Sequence, residues 1–283
     1  MEADGLRLVG GLFAASVVSA IGYLRRALSP DGAVAATAVG GLVFAAGGIV
    51  WAAPLLFFFV TGSALTHLRR HEKARRSARQ VLANGGVAAL ASLLRLAWGP
   101  GVVWDALVVG SLAAMAADTW ATEVGLLARW PAREILTGKP VAPGVSGGMS
   151  VPGTLAGVAG ALITAWLPGA VAGGSVGLAA HGSPFSLAGW GAGVWPAAGV
   201  AGVVGMVADS LLGAFAQARY RCDRCGLTTE HAGRHRRDCP GARLVRVHGW
   251  SWLDNDGVNF LAACLGGLVA VAAAGQRAGP APL

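Results

Sequence analysis

The chain has 283 residues, of which 54% are hydrophobic and only 13% charged, and it carries a net charge of +8. Mean hydropathy is +0.58, whereas a soluble domain carries about 25% charged residues and a membrane β-barrel shows alternating segments of about ten residues, so the fold class expected is all-α, a polytopic membrane helix bundle. The excess of positive charge does not point to nucleic acid, because the basic residues border apolar segments and no recognition motif accompanies them.

Eight apolar segments follow in chain order, at 6–24, 32–49, 51–68, 80–97, 102–127, 149–169, 189–217 and 257–275. A membrane helix needs about 20 apolar residues, so each is read as one span of a single integral membrane domain covering residues 1–283. Segments 32–49 and 51–68 are joined only at Val50 to Pro54, which also admits a re-entrant pair. Met1 to Gly5 carries two acids, and no small-residue cleavage site follows the first apolar run, so no secretory signal peptide is expected. The chain has 44 glycines, a composition that suits helices packed backbone to backbone in lipid.

Nineteen of the 22 basic residues fall in alternate loops. Arg25 and Arg26 follow the first segment, and the run from Arg69 to Arg79, including Lys73, Arg75 and Arg76, follows the third. Arg129, Arg133 and Lys139 follow the fifth. The loop 218–250 holds eight arginines. The positive-inside rule puts these four loops in the cytoplasm and both termini outside. Arg7, Arg95 and Arg277 are the exceptions. The uncharged loop 170–188 is then external. Cytoplasmic Lys and Arg either meet anionic lipid or receive a phosphorylated substrate.

The 14 acids are the unusual feature. Carboxylates in apolar segments are costly and are kept where they face a bundle interior or a watery path. Asp118 and Glu123 lie in ADTWATEVG, Asp209 in VADSLLGAF, and Asp254 and Asp256 in WLDNDGVN, all at the cytoplasmic end of their segments. The acids were not used to orient the chain, so this agreement is an independent check. Asp118 and Glu123 are about 140° apart around a helix and need not reach the same ion. Glu123 and Asp118 are open to a structural role as partners of a cytoplasmic Arg. In WLDNDGVN the acids with Asn255 and Asn259 offer hard oxygen ligands suited to Mg²⁺, or else Asp256 or Asn255 caps the last helix. Asp209, Gly213 and Gln217 share one helical face.

The loop ILTGKPVAPGVSGGMSVPGT presents Thr137, Lys139, Ser146, Gly147 and Gly148 just before a helix. Glycine amides and a helix N-terminus favour anions, and Lys139 supplies a point charge to phosphate, although the loop lacks the order of a Walker A motif. Asn84 in VLANGG stands at the start of the fourth segment, either as a helix-start polar group or as a substrate contact. Cys222, Cys225, His235 and Cys239 have the types and rough spacing of a zinc set. His231 competes with His235, and an unmetallated loop is the alternative. Cys264, inside the last apolar segment, is read as core.

QVLANGG, ADTWATEVG, the TGKPVAPGVSGGMSVPGT loop, GMVADSLLGAFAQ, the Cys-x-x-Cys loop and WLDNDGVN together resemble, in order from about Arg69 to Asn259, the transmembrane-protein-nineteen-like membrane family that includes plant phytyl-phosphate kinase. The chain is more distantly similar to CTP-dependent polyprenol kinases and phosphatidate cytidylyltransferases, a likeness that falls on Asp118, Lys139 and Asp209. The resemblance implies CTP-dependent transfer of a phosphoryl group to an isoprenoid monophosphate in the membrane. One or two Mg²⁺ ions would lie on Asp118, Asp209 and Asp256, with Glu123 and Asp254 as direct or indirect ligands. Lys139 and the amides near Gly147 and Gly148 would hold phosphate. Asn84, Thr119, Thr137, Ser146, Ser210, Asn255 and Asn259 would contact substrate, and the prenyl tail would lie in a lateral groove between Gly-rich helices. A cytidylyltransferase and a non-enzymatic flippase of a phosphorylated lipid are the alternatives.

Overall fold

The computed structural model describes residues 2–68, 75–174, 194–230 and 232–276. Arg69, Arg70, Lys73, His231, Arg277, most of the expected external loop and the start of the seventh expected span lie outside them. The helices are α1 (Glu2–Leu24), α2 (Pro30–Leu68), α3 (Ala78–Trp98), α4 (Val102–Leu127), α5 (Val151–Gly174), α6 (Val194–Phe215), α7 (Ala232–Asp238) and α8 (Asn255–Gly275). Among the described residues seven of them, all but α7, are long and apolar enough to cross a membrane.

The long helix α2 accounts for two of the expected spans. It has 39 residues and breaks at Gly48, where φ is 60° and ψ is −152°. Unbroken, it would run about 58 Å, with Gly32 and Gly62 about 45 Å apart. Instead both glycines meet Arg76: a Cβ on Gly32 would lie 2.1 Å from its carbonyl oxygen, and one on Gly62 would lie 2.9 Å from its guanidinium. The helix therefore folds back on itself. Its arms, 30–47 and 49–68, are each about 27–30 Å long, the thickness of a bilayer core, so each arm is long enough for a crossing of its own. The break falls at Gly48, and Pro54 is accommodated inside the second arm.

Breaking a helix leaves carbonyls without their intrahelical donors. Here Ala46 accepts from Arg95 Nε at 3.0 Å. Arg95 in turn lies 3.8 Å from Asp105, which accepts from Trp51 Nε1 at 2.9 Å. The guanidinium also stacks 5.1 Å from the Trp51 ring centroid. Arg95, an exception to the charge pattern of the loops, thus closes the hairpin at the end of the bundle opposite the acids.

Helix α4 is the central post. It touches α2, α3, α5, α6 and α8, and it is buried almost continuously from Asp105 to Ala117. Close approach requires glycine at two of these contacts. A Cβ on Gly110 would lie 2.6 Å from the Gly266 carbonyl, and one on Gly205 would lie 2.4 Å from Ala114 Cβ.

Two small sheets cap the end of the bundle that carries the basic loops, an addition to the all-α expectation. In the first, β1 (Ala132–Glu134) lies between β2 (Pro140–Val141) and β3 (Gly148–Met149); in the second, β4 (Arg219–Cys222) lies between β5 (Thr228–Thr229) and β6 (Leu244–His248), all antiparallel. The second sheet with α7 gives the Cys/His loop 218–250 an ordered core.

Candidate functional site

The site is built where α4, α6 and α8 converge beneath these sheets. Gly202 packs on Ala113 and Gly205 on Ala114, so α4 and α6 run side by side in the same direction. About one turn further along each helix stand Asp118 and Asp209. Their carboxyls face each other closely enough to interact directly. Two carboxylates packed side by side repel each other, and a proton or a cation between them relieves that repulsion.

Helix α8 adds Asn259. With its amide nitrogen facing Asp209, it donates to Oδ2 at 3.0 Å and to the Asn255 carbonyl at 3.2 Å. In that orientation the Asn259 amide oxygen faces the Asn84 side-chain amide of α3 at 3.0 Å and accepts from it once the Asn84 amide is turned to match. Four expected site residues, Asp118, Asp209, Asn259 and Asn84, are thereby joined across four helices. Ser210 is half-buried beside Asp209.

Glu123 turns to the other face of α4. It accepts from Thr66 Oγ1 at 2.7 Å and interacts electrostatically with Arg76 and with Asp118. Thr119 shares this face, its methyl group beside Gly62. The 140° separation expected from the helix is thus seen as two faces, with Asp118 toward α6 and Glu123 toward α2.

Asp254 and Asp256 are engaged elsewhere. Asp254 is the N-cap of α8, accepting from the Gly257 amide at 3.1 Å. Arg79 contacts Asp254 at 2.7 Å and Asp256 at 3.4 Å. The helix cap expected at Asp256 or Asn255 falls on Asp254. Among the described residues no three carboxylates come within metal-ligating distance of one another.

The glycine-rich loop lies against the end of α6. Gly147 has φ +81°, and a Cβ there would lie 2.5 Å from Ala214 Cβ, so position 147 requires glycine on both counts. Glu230, which sequence reasoning did not single out, holds this loop. It accepts from the Ser146 amide at 3.1 Å and from the Ser146 hydroxyl. It also accepts from Gln217 at 3.1 Å and Arg219 at 3.2 Å, while Arg219 donates to the Ser146 carbonyl at 2.7 Å. The Gly148 amide donates to Val145, so two of the amides expected to receive phosphate already have partners within the protein. Thr137 and Lys139 are exposed on the β1–β2 turn, where Thr137 donates to Glu134 at 2.7 Å.

Cys222, Cys225, His235 and Cys239 converge, their ligand atoms all within 4.8 Å of one another. Hydrogen bonding from the Cys225 amide, set against burial, lowers the Cys222 thiol pKa to about 6, while burial first and the neighbouring sulfurs next raise that of Cys239.

A lateral cavity of about 200 Å³ opens between α1, the two arms of α2 and α3. Its length is apolar, with Val18, Phe44, Leu55 and Phe59 among its walls, and its end toward the acids is formed by Arg76, Gln80 and Asn84. Asn84 belongs both to this groove and to the Asn259–Asp209 set. Arg76 belongs to the groove and to Glu123, and its guanidinium lies 5.7 Å and 5.8 Å from the Phe58 and Phe59 ring centroids. Within a run of basic residues, Arg76 had no sequence signal to separate it from its neighbours.

Comparison with known proteins agrees with this architecture. The pattern of the integral membrane protein family DUF92 matches residues 13–267, and the chain belongs to that family. It is 30% identical over 291 aligned positions to Protein PGR of Arabidopsis thaliana, covering 92% of this chain and 93% of that protein. It is 28% identical over 175 positions to Uncharacterized membrane protein MJ0933 of Methanocaldococcus jannaschii, covering 58% of this chain and 72% of that one. No solved structure matches.

Proposed function

We propose that this membrane protein is a prenyl-phosphate kinase, transferring the terminal phosphoryl group of CTP to an isoprenoid monophosphate of the phytyl or geranylgeranyl type. The observation that carries the proposal is the meeting of an acid pair, Asp118 and Asp209, with the polar end of an apolar lateral groove. An isoprenoid phosphate has the same two-part chemistry. Its tail matches the groove walls, and its phosphate falls where Arg76, Gln80 and Asn84 stand. In the transfer, an oxygen of the lipid phosphate forms a bond to the γ-phosphorus of CTP, the β–γ bridging bond breaks, and CDP leaves. The acceptor is already an oxyanion, so no strong general base is needed, and positioning and charge neutralisation carry the reaction.

Asp118 and Asp209 would be the hard oxygen ligands of one Mg²⁺. Such an ion would supply charge neutralisation at the nucleotide phosphates. Asn259 orients Asp209, and Asn84 ties that residue to the groove. Lys139 and Thr137, on the exposed β1–β2 turn, and Ser146 to Gly148 form the side from which a nucleotide enters. The basic loops at this end support a site at the cytoplasmic face of the cell membrane.

The test is product analysis. Purified protein is incubated with Mg²⁺, γ-labelled CTP and geranylgeranyl monophosphate. Label in a lipid diphosphate is the expected result. Labelled pyrophosphate with CMP on the lipid would make the protein a cytidylyltransferase, and no consumption of CTP with any prenyl phosphate would move lipid transport to the front.

A further inference from the structure

The Cys/His cluster has no part in the transfer chemistry, yet it is joined to the site through the chain. Cys222 ends β4, the strand that begins with Arg219, and β5 is followed directly by Glu230. Those two residues clamp the Ser146 loop. We propose that Cys222, Cys225, His235 and Cys239 bind one structural zinc ion, and that this ion fixes the β4–β5 hairpin so that Arg219 and Glu230 hold the Ser146–Gly148 loop against α6, the helix that carries Asp209.

The donor set fits zinc in type, number and spacing. Three thiolates and one imidazole are a closed tetrahedral set that leaves no open position, the mark of a structural site rather than a catalytic one. Tetrahedral angles with ordinary zinc bond lengths put a sulfur and a nitrogen ligand about 3.5 Å apart; Cys225 Sγ and His235 Nε2 are 3.5 Å apart. All four ligand atoms lie within 4.8 Å, as one ion requires. None of the cysteines is in a disulfide.

The local folds aim these groups at one point. The Cys222-x-x-Cys225 turn closes with the Gly226 amide donating to the Cys222 carbonyl at 3.1 Å, a knuckle that turns both sulfurs to one side. Helix α7 spans Ala232–Asp238. It places His235 four residues before Cys239, and the Cys239 amide donates to the His235 carbonyl at 2.8 Å. Of the residues between Cys225 and His235, Thr228 and Thr229 form β5 and those from Ala232 begin α7. Without an ion, three thiols and an imidazole would face one another with only weak S–H donors to satisfy them.

The experiment uses the full chain purified in detergent without chelator or histidine tag. Elemental analysis is expected to find one zinc per chain, lost in Cys222→Ser and Cys239→Ser and kept in Cys264→Ser. His235→Cys, which keeps four ligands by replacing the imidazole with a thiolate, is expected to keep it. Cobalt added to the metal-free wild-type protein is expected to give thiolate charge-transfer and tetrahedral ligand-field bands. Metal removal is expected to speed hydrogen exchange in residues 219–230 and 144–149, leaving α4 unchanged. Wild-type protein that holds no zinc and gives no cobalt bands, or zinc that survives Cys222→Ser, would overturn the site. Unchanged exchange at 144–149 after metal removal would overturn the link to the loop. None of these readouts uses CTP or a prenyl phosphate, so they stand apart from the proposed activity.

Discussion

Asp209→Asn is the sharpest test of the acid pair, because the structure separates what the change removes from what it keeps. The amide retains the size of the carboxylate and an oxygen that accepts from Asn259. The loss of stability is then about 1 kcal/mol or less, the net worth of one intramolecular hydrogen bond. The anionic oxygen is lost, however. Removing one electrostatic group of a preorganised site lowers turnover about 10²–10³-fold, or about 2.7–4 kcal/mol of barrier. Asp118→Asn is expected to do the same, and the double variant to fall little further, since groups that act as a unit are not additive. Asp254→Asn is the control. Asn caps a helix as well as Asp does, and Arg79, the partner of Asp254, is 65% exposed, so the ion pair contributes about 0–1 kcal/mol and turnover should stay within about fivefold of wild type. The assay is transfer of label from γ-labelled CTP to geranylgeranyl monophosphate, with thermal unfolding in detergent to establish folding. Asp209→Asn that is folded and turns over at more than about a tenth of the wild-type rate would refute the reasoning.

Other positions follow from the same geometry. Gly147→Ala must hold a Cβ at φ +81° and 2.5 Å from Ala214; the left-handed backbone alone costs about 1–2 kcal/mol, so activity should fall at least about tenfold while the melting temperature of the bundle moves little. Asp105→Ala leaves the Arg95 guanidinium, 4% exposed, without its carboxylate. It should destabilise the protein by about 3–5 kcal/mol, read as a lower melting temperature, and the apolar pair Arg95→Met with Asp105→Leu should recover part of that loss. Val18→Trp fills the apolar part of the groove and should raise KM for geranylgeranyl monophosphate while leaving dimethylallyl monophosphate unaffected. Equal effects on the two substrates would mean that the tail lies elsewhere.

The gross architecture was legible because it rests on one-dimensional signals. Apolar length and the alternation of Arg and Lys between loops report the number of crossings and which loops lie together, and every acid singled out on those grounds lies at the same end of the bundle. The break in α2 was nearly legible. Its two apolar runs were separable by length, but the turn needed a single residue able to take φ 60°, and Gly47 and Gly48 stand next to each other. Nothing in the sequence distinguishes them, and Pro54, the usual breaker, lies inside the second arm where lipid-embedded helices tolerate it.

What could not be read is which partner each polar group finds. Ser146 and Glu230 are 84 residues apart, and Asn84 and Asn259 are 175 apart, so no local spacing announces either pair. Glu230 sits between two metal-ligand types in a loop full of arginine, where an acid looks like ordinary charge balance. Its significance appears only when β4 and β5 bring it beside Arg219. Arg76 is likewise one of six basic residues in its loop, and only the fold-back of α2 aims it at the groove. The same logic changes the weight of the acids. A sequence shows five carboxylates near one face, and all five look alike as ligands. Packing then divides them: Asp118 and Asp209 face each other between helices, Glu123 is held by Thr66 and Arg76, and Asp254 and Asp256 are occupied by an exposed arginine at a helix cap. A carboxylate that already has a cationic partner gains less from a metal ion than one whose neighbour is another carboxylate. The Asp118–Asp209 pair is therefore the place where the proposed Mg²⁺ ion is expected to bind.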